Sequence, residues 1–178
     1  MTDTLTFTET GPLEYDADLD EHRSRPMSIP LLNRTDAEIV IVGYLDDSSP
    51  TEFGDAIRNL LKCNRSTLLA ASDDLYRYYA DMKALVDDDR IPAITRPEDT
   101  WDHVRLGREV YIERRAYGDK RMYASIESGC AWEQEHGLQI VLRDGLSVSK
   151  LGPYDGHLTN ADAFGDPSLE SVVFRGFR

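Results

Sequence analysis

A chain of 178 residues with 33 acidic against 20 basic side chains carries a formal charge of −13, and 40% of it is hydrophobic. That length suits one domain spanning 1–178 with a substantial core, and that composition belongs to a folded chain. The charge sets it against nucleic-acid phosphates and anionic membranes and toward a basic protein partner.

Residues 1–20 lack the basic start and apolar middle of a signal peptide, and no run reaches the length of a membrane span. Cys63 and Cys130 are too few for a disulfide framework. A cytosolic protein with reduced thiols is the expectation.

In chain order, Leu5–Phe7 and Leu13–Tyr15 are short β-prone pieces, followed by the charged run Asp16–Arg25. They predict an edge strand or hairpin over residues 1–25, partly frayed. Ala37–Gly43 (AEIVIVG) is β-branched on both faces and predicts a central strand. Ser49-Pro50-Thr51-Glu52 has the pattern of a capping box with proline at the first helical position. A helix over 50–62 follows, with Phe53, Ala56, Ile57, Leu60 and Leu61 on its apolar stripe.

A second helix is predicted over 67–86, with Tyr76 and Tyr79 inward and Arg77 and Tyr78 outward. Asp87-Asp88-Asp89-Arg90 reads as its solvated acidic end, since a helix C-terminus repels anions and no EF-hand spacing follows. A connector with Pro92 and Pro97 leads to a helical turn near Thr100–Val104.

From Arg108 the periodicity is two. Arg108–Arg115 and Arg121–Ser128 flank a turn at 117–120, and Gly137–Arg143 and Leu146–Leu151 flank Asp144-Gly145, the preferred type I′ pair. Leu138, Ile140 and Leu142 share one face, continued by Leu146 and Val148, with Gln139, Val141 and Arg143 on the other. Ser171–Phe174 is one more strand candidate. Strands, two helices, then a run of strands predict an α+β fold: a twisted antiparallel sheet with the helix pair packed on one face.

The side chains best suited to chemistry gather between Gly129 and Asn160. Trp132, Glu133, Glu135 and His136 end one strand, and Tyr154, Asp155 and His157 follow the next hairpin. The hairpin should bring these two corners side by side, making a polar binding patch. His136, His157, Glu133, Glu135 and Asp155 are the residue types that hold zinc or serve as a general base, although HExxH spacing is missing. Three readings follow: a protein-binding surface, a metal-assisted hydrolase, or a cluster that only fixes turns. There is no nucleophile elbow, phosphate loop or CxxC, so no cofactor is expected.

This stretch resembles an uncharacterised family of bacterial domains marked by Cys-x-Trp-Glu-x-Glu-His-Gly-Leu, a hairpin, and a Tyr-Asp-Gly-His-Leu-Thr-Asn turn. The matching positions here are Cys130, Trp132, Glu133, Glu135, His136, Gly137 and Leu138, then Tyr154 to Asn160. The resemblance names no catalytic residue. Some similar small acidic domains look like immunity proteins beside toxins. That implies a non-enzymatic inhibitor whose acidic surface covers a basic protein, the reading preferred over the hydrolase.

Overall fold

The computed structural model describes residues 4–86 and 89–177. Its strands are β1 (Thr6–Phe7), β2 (Gly11–Pro12), β3 (Glu14–Asp16), β4 (Glu21–Arg23), β5 (Met27–Ile29), β6 (Arg34–Val42), β7 (Val104–Arg105), β8 (Glu109–Arg114), β9 (Met122–Cys130), β10 (Glu133–Arg143) and β11 (Ser147–Gly152). The helices are α1 (Thr51–Lys62), α2 (Arg65–Leu69), α3 (Ser72–Leu85) and α4 (Asn160–Phe164). A 3-10 segment, Pro97–His103, supplies the turn expected near Thr100.

The main sheet runs β11-β10-β9-β8-β6-β4-β3, with β5 beside β6 and β7 beside β9. The fold is α+β, as the element order predicts, and β6 is an interior strand of the sheet, between β8 and β4. Its pairing is antiparallel except at β6–β8, which run parallel with Ile39 opposite Val110 and Ile41 opposite Ile112. The helices make the crossover between those two strands. β6 is fully buried at Ala37, Ile39, Val40 and Ile41, as its β-branched composition requires.

The core lies between the sheet and the helices. From α1, Phe53, Ala56, Ile57 and Leu60 are buried against it, each of the larger side chains contributing about 2 kcal/mol. The capping box at Ser49 does not form. Pro50 is the N-cap with no side-chain hydrogen bond, because the Glu52 carboxylate pairs instead with Arg114 at 2.7 Å.

The expected second helix is two pieces. Asn64 caps α2 through its side chain, which accepts from the Ser66 amide at 2.8 Å. The chain then breaks at Ala70–Ala71 before α3 begins. The break resets the helical phase, so Tyr78 turns inward and is fully buried beside Tyr79, contrary to its expected outward position. The acidic end read at 87–90 lies partly outside the described residues.

The Asp144-Gly145 turn has φ of 53° and 69°, and the Leu146 amide donates to the Arg143 carbonyl at 3.0 Å, the geometry a type I′ turn demands. A Cβ on Gly145 would stand 2.5 Å from the Ala56 carbonyl oxygen, so this tip is pressed onto α1. Leu146, expected to extend the apolar face, is 51% exposed there. Ser171–Phe174 is not a strand. It meets β11 through one hydrogen bond, Leu151 N–H to the Val173 carbonyl at 2.9 Å.

Among the described residues no helix is long and apolar enough to cross a membrane.

Candidate functional site

The corner at the start of β10 is a large bulge. Glu133 pairs with Cys130 and Leu138 pairs with Ser128, so residues 134–137 are looped out of the ladder. The Glu133 carboxylate holds the loop, accepting from the Glu135 and His136 amides at 2.7 Å each. His136 Nδ1 also lies 3.3 Å from Glu133 Oε2. Gly137 closes the loop at φ 61°, where a Cβ would meet the Ser128 carbonyl oxygen at 2.5 Å.

Trp132, expected in the surface patch, is 3% exposed. Its ring packs edge-on against Tyr78 and Tyr79, 5.8 Å from each. Cys130 donates to the Glu133 carbonyl at 3.3 Å, and burial pushes its thiol up to about 11. It is therefore a protonated packing residue at neutral pH and no nucleophile.

The second corner touches the first. The Tyr154 amide donates to the His136 carbonyl at 3.3 Å, so the EQEH and YDGH corners lie together as the hairpin implied. Their side chains are spent locally, however. Asp155 Oδ1 takes the His157 amide at 2.9 Å and Lys150 Nζ at 2.6 Å. His157 and His136 are both about half exposed. Among the described residues no three His, Cys, Asp or Glu side chains converge as metal ligands. The candidate metal set of His136, His157, Glu133, Glu135 and Asp155 thus does not converge among the described residues: the Glu133 carboxylate is bonded to its own loop, and that of Asp155 to the His157 amide and Lys150.

Lys150 is the buried charge that the strand pattern did not reveal. It is 2% exposed, and its ammonium donates to Gln139 Oε1 at 2.8 Å and to the His157 carbonyl at 3.1 Å as well as to Asp155. Burial holds its pKa below the ordinary lysine value, with Asp155 opposing the shift. These bonds fasten residues 153–157 to the sheet face opposite the helices. Arg115 fastens the rest of the C-terminal segment: its guanidinium, 4% exposed, donates to both oxygens of Asp162 at 2.6 and 2.8 Å and of Glu170 at 2.6 and 3.0 Å. Tyr123, Val141 and Leu158 make a small second core beneath it.

The far face therefore has a covered half and an open half. Strand alternation places Glu109, Tyr111 and Glu113 of β8 on this face, beside Glu127 of β9 and Glu38 of β6. Arg23 from β4 reaches in to Glu109 at 2.6 Å, Glu38 at 3.1 Å and Glu21 at 3.5 Å. The Tyr111 hydroxyl donates to Glu109 Oε2 at 2.7 Å, which with Arg23 holds that carboxyl below the usual range. Burial and the neighbouring carboxylates push Tyr111 up to about 12 and raise Tyr154, which faces Glu127 and Glu113.

Glu113 stands at the seam between the two halves. No hydrogen bond or ion pair joins its carboxyl to another described residue, and burial raises that carboxyl above the ordinary glutamate value. Sequence reasoning passed over this face: the alternation Glu109-Tyr111-Glu113 was readable, but which face the helices leave open was not.

No curated protein and no solved structure matches the chain. A family model described as a domain of unknown function, DUF6985, matches residues 9–158, a span that includes both corners and the open face. The chain belongs to the DUF6985 family.

Proposed function

We propose that this chain is a cytosolic, non-enzymatic protein-binding domain that covers a basic partner, in the manner of an immunity-type inhibitor. The observation that carries the reading is the open half of the far sheet face. It interleaves Glu21, Glu38, Glu109 and Glu127 with Tyr111 and Tyr154 and sets Arg23 and Arg108 among them, the latter 3.5 Å from Glu38. Carboxylates in excess attract and orient a basic surface, and half-buried tyrosines are the residues that anchor interfaces.

Strands hold all of these side chains but Tyr154 and Arg108, so little ordering is needed on association. The formal charge of −13 extends the same field over the rest of the molecule and speeds the encounter. The metal-assisted reading has no converging ligand set to support it.

The test is binding of small basic proteins at rising salt, with Tyr111→Ala and Glu109→Gln/Glu127→Gln variants. Capture that weakens with salt and falls at least about tenfold in these variants supports the reading. Capture indifferent to them overturns it.

A further inference from the structure

At the seam of the far face, a groove of about 630 Å³ runs between the end of β8 and the C-terminal segment. Ala116, Leu158, Ala161 and Pro167 give it apolar walls, and the Tyr117 ring, 75% exposed, stands among the lining residues. Glu113 lies in the same lining.

The charges around it are unequal. Arg115 is taken by Asp162 and Glu170, and Arg114 by Asp47 and Glu52. Each arginine thus has more carboxylate than it can neutralise, and the Glu113 carboxyl is left over. A half-buried carboxyl with no donor of its own is costly. A cation delivered from outside would remove that cost, and an apolar wall suits the aliphatic stem that carries such a cation.

We propose that this groove is a seat for one arginine or lysine side chain of a protein partner, its alkyl stem along Ala116, Leu158 and Pro167 and its cationic head on Glu113. Tyr117 adds a ring face for the cation at the mouth. The proposal rests on the protein-binding reading and names the anchor it uses.

The probe is the peptide acetyl-Ala-Arg-Ala-amide, compared with the same peptide carrying citrulline, which has the shape but no charge. Both are titrated into the full chain and followed by amide chemical shifts. The arginine peptide should give saturating shifts at Glu113, Ala116, Gly156 and Leu158, with citrulline weaker by roughly tenfold, and Glu113→Gln should erase the difference. Equal binding of the two peptides, shifts that never saturate, or an unchanged response in Glu113→Gln would overturn the seat. A folding defect does not confuse the result, since the melting temperature of Glu113→Gln is read on the same sample and should not fall. If basic proteins are captured through Tyr111 while the groove stays silent, the seat fails and the binding reading stands. If the peptide saturates the groove but no basic protein is captured, the seat stands and that reading fails.

Discussion

The Tyr154 amide donates to the His136 carbonyl at 3.3 Å, and this one bond ties the two corners of the C-terminal hairpins together. It is a backbone bond, not a meeting of functional side chains. The corner residues organise the chain, while the surface we propose for a partner lies beside them on the open sheet face.

Gly137 is the point where that corner is least tolerant. Gly137→Ala combines a left-handed φ with a Cβ 2.5 Å from the Ser128 carbonyl oxygen. We expect a loss of about 2 kcal/mol or more in urea unfolding. Loss of the Tyr78 hydroxyl bond to the Gly137 carbonyl, now 2.9 Å, should accompany it. An unchanged midpoint would show that the loop can relax.

Arg115→Ala should release the C-terminal segment. The guanidinium is nearly fully buried, but Asp162 and Glu170 are partly exposed at 22% and 35%, so water takes up much of the lost pairing. The cost should be about 2 kcal/mol rather than the larger value of a fully buried pair. Amide exchange over 156–170 should speed up while that of β6 stays slow. Arg115→Lys should rescue little, since it cannot fork onto two carboxylates.

His22 makes stability depend on acid. It is 4% exposed, its Nδ1 has no hydrogen-bond partner among the described residues, and it packs against Tyr15 and Tyr44 at 4.7 and 5.8 Å. Burial lowers its pKa below 6.5, partly offset by Asp20. A folded-state pKa below the unfolded one means that stability is fully present above about 6.5 and is lost as pH falls through the lower folded value. His22→Phe keeps the ring packing and should flatten the melting temperature between pH 7 and 5. A slope unchanged by the substitution would assign it to other groups.

Glu113 has the opposite sign. Its carboxyl is raised by burial, so its charged form is disfavoured in the fold, and stability present below the unfolded value of about 4.3 is lost as pH rises through the folded one. Glu113→Gln should therefore raise the urea midpoint at pH 7 and leave it unchanged at pH 4. A lower midpoint at pH 7 would mean that the carboxylate has a partner in solution.

Much of this fold is local and was therefore legible. Alternation along Leu138–Leu142, the Asp144-Gly145 pair and the α1 stripe each report their own neighbourhood, and each formed. What failed was non-local. Nothing within β6 or β8 signals that they pair in parallel, because that register is set by helices folding back between them. Leu68 and Leu69 carried the apolar pattern smoothly toward the break at Ala70–Ala71, hiding the phase change that buries Tyr78. Lys150 and Arg115 look like surface residues on strands until the C-terminal segment is laid over them. The same segment decides which glutamates stay open, so the candidate face could not be named from its strands alone.

The most direct measurement is an amide chemical-shift footprint of the full chain with small basic proteins at low and physiological salt. We expect perturbations concentrated at Tyr111, Glu113, Glu127 and Tyr154, fading as salt rises, with α1 and α3 unaffected. A footprint centred on the helices, or spread evenly over the acidic surface, would contradict a partner seated on the open sheet face.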